Sequence, residues 1–166
     1  MAKAIDAANY IIEECNKKGF SINNLKLQKL LYYSEVESLT TRNTSLFQED
    51  IEKWKLGPVV PIVYHEFKHY GASNIYKTQP VLVFDTKSND VWDFKFEEFK
   101  PDSISIQERE CIDAVIESSG DKDPFELVEQ THQEYLWKVD EARIANGEKH
   151  LKYDRFEMKR FFSQED

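Results

Sequence analysis

One short stretch of the sequence has the residue types and the spacing of a zinc protease. His65, Glu66 and His69 match the pattern H-E-x-x-H, in which two histidines one helical turn apart bind zinc and the glutamate activates a water molecule. The stretch lies between Pro61 and Gly71, where the sequence predicts a short helix that the proline begins and the glycine ends. The motif therefore falls on the kind of element that it requires.

The predicted face of that helix argues against a metal site. At about 100° per residue, His65 and His69 point roughly 140–180° away from Val60, the first residue of an apolar stripe. The stripe continues with Tyr64 and Phe67. The two histidines should therefore be solvated, on the side of the helix opposite the core.

A third zinc ligand is also missing from the pattern. A catalytic zinc needs an enclosed site and a third protein ligand, and neither His132 nor His150 follows at a recognisable spacing. We therefore expect no metal and no catalysis at this stretch. A zinc hydrolase that uses His65, Glu66 and His69 stays open as an alternative.

The rest of the sequence contains little that is typical of other catalytic classes. It has no glycine-rich phosphate loop and no G-x-S-x-G nucleophile motif. Cys15 and Cys111 fall on the apolar faces of predicted helices, without a neighbouring histidine or basic cluster that would activate either thiol. Two buried cysteines in a reducing compartment are the expected arrangement. The sequence thus predicts a protein that is not an enzyme and needs no cofactor.

Charge and composition favour a protein-binding role in the cytoplasm. The chain carries 22 basic and 31 acidic residues, a net charge of −9, which disfavours general binding to nucleic acid. An acidic chain suits a basic protein partner, because opposite fields speed their encounter. Charged residues interrupt every early apolar run, and no run of about 18 apolar residues occurs. We therefore expect neither a signal peptide nor a membrane span.

The periodicity of apolar residues predicts a mainly α fold in a single domain spanning residues 1–166. The 40% of hydrophobic residues suffice for a buried core. Apolar residues recur at helical spacing in several segments, most of them bounded by a capping residue, a proline or a glycine. These segments are 4–15, 25–43, 61–71, 105–120, 123–132 and 153–162. Phe156, Phe161 and Phe162 are expected to anchor the last segment. Residues 45–61 break the periodicity and should form an ordered loop.

Alternating residues predict one β-hairpin between the helices. Val81–Phe84 and Val91–Phe96 have the pattern of strands on either side of a turn at residues 87–90. In the second strand Trp92, Phe94 and Phe96 alternate with polar residues, so we expect one buried and one solvated face. A two-stranded sheet is marginal alone and should pack against helices. The predicted fold is thus a compact domain of five to six helices with one small antiparallel hairpin.

Three segments of the sequence together resemble a known family. They are Leu25–Tyr33 (LKLQKLLYY), Asp50–Tyr64 (DIEKWKLGPVVPIVY) and Leu127–His132 (LVEQTH), which Trp137 follows. In this order they are similar to the Panacea domain, the family of SocA-like antitoxins that is also met among phage-associated genetic-element proteins. The resemblance covers nearly the whole chain, from about residue 4 to Trp137 and beyond.

Two places depart from the pattern of that family. Ser34–Glu37 stands where small and aromatic residues are frequent, and Glu134–Leu136 stands where a proline directly before the tryptophan is common. These departures bear on partner contacts rather than on the fold. A histidine at position 69 is not part of the family motif, so the resemblance also implies that the H-E-x-x-H match is accidental.

The resemblance implies an antitoxin that binds a cognate protein toxin, usually the product of a neighbouring gene, and blocks it by occlusion or sequestration. It implies no nucleic acid, membrane or cofactor among the partners. Two related roles stay open: an adaptor that presents the toxin to a cellular protease, and a phage anti-defence protein that holds a host factor. The acidic composition does not separate these three roles.

The residues of the three segments fall into two groups of predicted sites. Lys26 and Lys29 lie about 300° apart around the helix and share one face, with Tyr33 nearby. As exposed basic and aromatic groups they are candidates for partner binding, with packing as the alternative. The other motif residues are expected to serve as core, turn or cap positions: Leu27, Gln28, Leu30, Leu31, Tyr32, Trp54, Gly57, Pro58, Tyr64, Thr131, His132 and Trp137.

Overall fold

The computed structural model describes residues 1–84 and 94–163. Within these residues the chain forms helices α1 (Ala4–Lys18), α2 (Asn24–Thr41), α3 (Pro61–Phe67), α4 (Ile106–Ser119), α5 (Pro124–Gln133), α6 (Tyr135–Lys138), α7 (Glu141–Ala145) and α8 (Arg155–Phe162). Four short strands, β1 (Glu52–Trp54), β2 (Gly57–Val59), β3 (Val81–Phe84) and β4 (Phe94–Glu97), form two separate antiparallel pairs. The fold is mainly α, as predicted, with more helices and one hairpin more than expected. None of the described helices is both long and apolar enough to cross a membrane.

Helix α2 lies at the centre of the molecule. It packs against α1, α4, α5 and α8, and every residue from Lys26 to Val36 is buried. A helix enclosed on all sides buries its polar side chains along with its apolar ones, and each buried polar group needs a hydrogen-bond partner. Those partners come from the β1–β2 hairpin, the start of α6, and α8.

The ends of the long helices follow local sequence chemistry. Gly19 takes the left-handed conformation (φ 74°) directly after α1, where a glycine has no side chain to strain. The side chain of Asn23 caps α2 by accepting from the Lys26 N–H at 2.9 Å. Ser105 and Glu108 form a reciprocal capping box at the start of α4. Short-range signals therefore fix where these helices begin and end.

The predicted loop at residues 45–61 contains a second hairpin, so that prediction is wrong. Strands β1 and β2 have three residues each, which is too short for alternation to stand out in a sequence. A segment near the end of the chain extends the hairpin: the Lys53 N–H donates to the Leu151 carbonyl at 2.7 Å, and the Tyr153 N–H donates to the Ile51 carbonyl at 2.8 Å. The hairpin is thus held from the side by residues about a hundred positions away.

Strands β3 and β4 pair in antiparallel fashion, as predicted, but the orientation of the pair is reversed. The predicted turn at residues 87–90 and the predicted start of the second strand at residues 91–93 lie outside the described residues. Leu82 pairs with Phe96, and Phe84 with Phe94, so these four side chains share one face. That face is exposed, whereas Val81 on the opposite face is buried. The hairpin therefore packs through its valine side and leaves its aromatic side in solvent. Trp92, predicted to share the aromatic face, lies outside the described residues.

The last third of the chain contains two helices that the sequence did not reveal. Helices α6 and α7 are only four and five residues long, below the length at which helical spacing can be recognised. Helix α8 is confirmed, but Phe156 is 72% exposed and does not anchor it. Met158 is fully buried instead, with Phe161 and Phe162 packed at the edge of the core.

Candidate functional site

The three segments that resemble one family meet around the middle of α2. The first segment is part of α2 itself, the second forms the β1–β2 hairpin and α3, and the third forms most of α5. Hydrogen bonds and close contacts join them through a set of buried residues, which we call the motif cluster. The motif cluster consists of Gln28, Lys29, Tyr32, Tyr33, Gly57, Pro58, Thr131 and Glu134.

Gln28 connects α2 to the start of α3. Its Oε1 accepts from the Val60 N–H at 2.9 Å, and its Nε2 donates to Oδ1 of Asn24 at 2.9 Å. Asn24 in turn donates through Nδ2 to the Tyr64 carbonyl at 3.1 Å. The amide of one buried glutamine therefore fixes the path of the chain between β2 and α3, because both of its ends are bonded.

Lys29 is the most deeply buried cation of the cluster. Its side chain is fully buried, and Nζ donates to the carbonyl of Pro58 at 3.0 Å. Burial lowers the pKa of Lys29 to about 7, because a charged ammonium loses its hydration in the interior. The lysine thus links α2 to the β1–β2 hairpin through a hydrogen bond. Because its pKa is about 7, its charge changes near neutral pH.

Gly57 occupies the tightest point between the hairpin and the helices. Its φ is +93°, and a Cβ at this position would lie 2.5 Å from Oγ1 of Thr131 and 3.0 Å from Cε of Lys29. Two independent reasons, backbone conformation and space, therefore require glycine here. Packing thus accounts for the glycine of the Gly-Pro dipeptide, and the carbonyl of Pro58 accepts from Lys29.

Glu134 completes the cluster from the α5–α6 junction. Its two carboxylate oxygens accept from the hydroxyls of Tyr32 at 2.7 Å and Tyr33 at 2.6 Å. Burial and the carboxylate together raise the pKa of both tyrosines well above the usual value. In the sequence Glu134 stands out only as a departure from the family pattern, and this role was not predicted.

The other departure from the family pattern also places a carboxylate in the core. Glu35 is fully buried in α2; its Oε1 accepts from Nε of Arg155 at 2.7 Å, and its Oε2 accepts from the Leu46 N–H at 2.7 Å. Arg155 also donates to the carbonyls of Phe47 and Glu49. The acidic side chain that follows Leu30–Tyr33 directly in sequence was the signal that could have found this contact, since a carboxylate that becomes buried needs a partner.

Aromatic side chains close one side of the cluster. His132 stacks on Trp137 with ring centroids 3.8 Å apart, and Nε1 of Trp137 donates to the Trp54 carbonyl at 2.9 Å. Burial lowers the pKa of His132, which favours the neutral ring. Trp54 is only half-buried and packs edge-on against Tyr64 at 4.9 Å. Trp54 therefore flanks the core, although its sequence position grouped it with the core, turn and cap residues.

The expected exposed face of Lys26, Lys29 and Tyr33 does not exist in this structure. All three side chains are buried, because α2 is covered on every side. Lys26 donates through Nζ to the carbonyls of Ser21 and Gly120, and the other two belong to the motif cluster. As the chain is folded here, these residues hold neighbouring elements and do not offer a surface to a partner.

The H-E-x-x-H stretch lies where the helical spacing predicts. His65, Glu66 and His69 are exposed, and Val63 and Phe67 of the same segment are buried. Across residues 1–84 and 94–163, no three His, Cys, Asp or Glu side chains are grouped closely enough to hold a metal ion. Cys15 and Cys111 are buried free thiols, as expected.

The geometry defines the class of the protein: a mainly helical domain with an internal polar frame around one enclosed helix. Comparison with known proteins then gives its family. The family described as Antitoxin SocA-like, Panacea domain, matches residues 27–138, more than half of the chain. The protein therefore belongs to the SocA-like antitoxin, Panacea-domain family.

A characterised relative supports the same assignment over a shorter stretch. Antitoxin SocA of Caulobacter vibrioides (strain NA1000 / CB15N) is 36% identical to this chain over 76 residues. The matched region spans 44% of this chain and 40% of the relative, so the similarity covers less than half of either protein. No solved structure matches the chain.

Proposed function

We propose that the protein is an antitoxin that neutralises a cognate protein toxin by binding it directly. The observation that carries the proposal is the family match across residues 27–138, which includes all but the first two residues of the three segments that meet at α2. A family that is named for antitoxins implies a protein partner. We further propose that the chain catalyses no reaction and needs neither a metal nor a nucleotide for this role.

In this proposal the motif cluster acts as a frame and the toxin binds elsewhere on the surface. The cluster residues are buried and joined to neighbouring elements by hydrogen bonds and close contacts, so their effect on a partner is to hold the exposed surface in one shape. A preformed surface loses less conformational entropy on binding than a mobile one. The net charge of −9 adds long-range attraction toward a basic toxin.

The test of the proposal is co-expression with the product of the adjacent gene. Expression of that product alone should arrest growth, and co-expression with this protein should restore it. The two proteins should then co-purify in buffer that contains EDTA and no nucleotide. Because the attraction is electrostatic at long range, the association rate should fall as salt rises above about 0.15 M, while the dissociation rate changes less.

Three outcomes would count against direct neutralisation of a toxin. If neither adjacent gene product is toxic and no protein partner copurifies from the native host, the antitoxin proposal fails. If growth is restored only in cells with an active cellular protease, and toxin levels fall at the same time, the adaptor role replaces occlusion. A partner that proves to be a host defence factor would favour the anti-defence role.

A further inference from the structure

The outer face of the β3–β4 hairpin is an exposed apolar ladder. Leu82 and Phe96 form one cross-strand pair, and Phe84 and Phe94 form the next. Their side chains are exposed by 37%, 70%, 62% and 50%, respectively. Because facing residues of an antiparallel pair and residues two apart share one side, all four point the same way. We call these four residues the hairpin face.

The hairpin face is large for exposed apolar surface. A phenylalanine offers about 150–250 Å², so the three phenylalanines at these exposures contribute on the order of 300–450 Å². Apolar patches of this extent mark interaction sites on soluble proteins. A standard protein interface takes roughly 800 Å² from each partner, so the patch would supply the apolar centre of such an interface and its surroundings the polar rim.

The body of the protein holds this hairpin from behind. The side chain of Asn9 in α1 accepts from the Gln79 N–H at 2.8 Å and donates to the Gln79 carbonyl at 2.9 Å, which fixes the chain just before β3. Nζ of Lys3 donates to the Leu82 carbonyl at 3.1 Å. Val81 is buried on the inner side. The strands are thus attached through one face while the apolar face stays free.

We propose that the hairpin face docks the toxin, and that the toxin is a basic protein that presents an apolar strip to it. This inference rests on the proposed antitoxin function and adds the location of the interface. Charge decides between the two candidate occupants. A second copy of this chain would also carry a net charge of −9, so self-association works against like-charge repulsion, whereas a basic partner gains from attraction.

The first experiment removes the hairpin face and keeps the strands. The variant Phe84→Thr with Phe96→Thr retains β-branched residues that suit strands. Its matched control is Phe125→Gln with Phe156→Gln, which removes two equally exposed phenylalanines from α5 and α8 and retains good helix formers. With the toxic product of the adjacent gene as probe, the hairpin variant should lose neutralisation and bind at least about 100-fold more weakly. The control should stay within a few-fold of wild type.

The second experiment does not depend on how well the variant folds. A photo-crosslinking p-benzoylphenylalanine at position 96 should capture the toxic protein, and the same group at position 156 should not.

Three outcomes would contradict the inference. Binding by the hairpin variant at wild-type strength, or a wild-type complex that gives no crosslink from position 96, would place the interface elsewhere and leave the antitoxin function standing. Crosslinks from position 96 to a second copy would make this face a self-association surface and overturn the inference. Absence of any wild-type complex would reject the proposed function itself, and the inference with it.

Discussion

The motif cluster buries polar side chains, whereas the hairpin face exposes apolar ones. In the cluster, a lysine, a glutamine and a glutamate are buried beneath neighbouring elements. In the hairpin face, three phenylalanines and a leucine stand in solvent. The usual arrangement has the apolar groups inside and the charged ones outside, so each region departs from it in its own direction.

The contrast separates what holds the fold from what is available to a partner. Each buried polar group of the cluster is bonded to another part of the chain, because an unbonded one would destabilise the folded state. Lys29 reaches Pro58, and Tyr33 reaches Glu134. No such requirement applies to the exposed phenylalanines, which cost little in the monomer and gain on burial by a partner. Substitutions in the motif cluster should therefore lower the free energy of unfolding, whereas substitutions in the hairpin face should weaken binding to the partner.

The largest loss of stability should follow Gly57→Ala. The new Cβ would collide with Thr131 and Lys29, and we expect the free energy of unfolding to fall by about 2–4 kcal/mol. Gly147→Ala is the matched control, because Gly147 also has positive φ (+83°) but open space around it. It should cost only the backbone strain, about 1 kcal/mol. Equal losses in urea denaturation of both variants would show that the packing at Gly57 is not tight.

The next largest loss should follow Tyr33→Phe. This change removes the hydroxyl that donates to the buried carboxylate of Glu134 at 2.6 Å. We expect a loss of about 1.5–3 kcal/mol, as is typical for hydrogen bonds to charged groups. Tyr135→Phe removes a hydroxyl from a 65% exposed tyrosine next to the same glutamate in sequence, and it should be neutral. Thermal and urea unfolding of the pair measure the difference, and a neutral Tyr33→Phe would show that the bond from Tyr33 to Glu134 does not stabilise the fold.

A pH-dependent gain in stability should follow from the low pKa of Lys29. Between its folded pKa of about 7 and the unfolded value of about 10.4, the unfolded state holds a proton that the folded state lacks. Stability from this residue therefore rises with pH, by at most about 1.4 kcal/mol per pH unit. From pH 7 to 8.5 the gain should be about 1–2 kcal/mol. More than about one pH unit below the folded pKa, the lysine is charged in both states and contributes little slope.

Other shifted groups act at the edges of the window from pH 7 to 8.5. His132, whose pKa is lowered, adds a little to the slope at the lower end, because the unfolded imidazole is still losing protons there. Cys15, whose pKa burial raises to about 11, opposes the slope toward the upper end, where the unfolded thiol begins to ionise. Lys26 also has a lowered pKa and adds to the slope in the same direction. The Lys29→Met variant should therefore show a flatter dependence than wild type. A wild-type stability that is constant or falls over this range would contradict the assignment.

The smallest effect on stability should come from the hairpin face. Phe84→Thr with Phe96→Thr should change the free energy of unfolding by less than about 0.5 kcal/mol, as for most exposed positions. The comparison between regions predicts that this variant loses partner binding and keeps its fold. A destabilisation as large as that of Gly57→Ala would show that the aromatic side contributes to the folded monomer, and the contrast between the two regions would disappear.

Some of the site was predictable from local sequence, and some was not. Gly57 and Pro58 were expected to be structural, and the contacts of Gly57 with Thr131 and Lys29 give the reason. Lys29 and Tyr33 were candidates for an exposed binding face and are buried instead. Helical spacing shows which residues share a face of a helix, but it does not show how many faces are covered. Since α2 is surrounded, the inference from a polar face to an exposed face failed.

In the β3–β4 hairpin, a face that was expected to be buried is exposed. Alternation placed Phe94 and Phe96 on one side of a strand, and the structure confirms that they share it. The assumption that the aromatic side is buried was wrong, because the body of the protein contacts the side that carries Val81. Period-2 alternation divides a strand into two faces and does not say which of them meets a neighbour.

By itself, the sequence determined the mainly helical class, the starts and ends of the long helices, and the family to which its three segments are similar. Those features depend on side chains within a few residues of one another, such as Ser105 with Glu108 or Gly19 after α1. Only the tertiary structure decided that α2 is enclosed, that Glu134 accepts from two tyrosines about a hundred residues away, and that the phenylalanines of the hairpin face solvent. These are contacts between distant parts of the chain, and whether a group is buried depends on all the elements that pack around it.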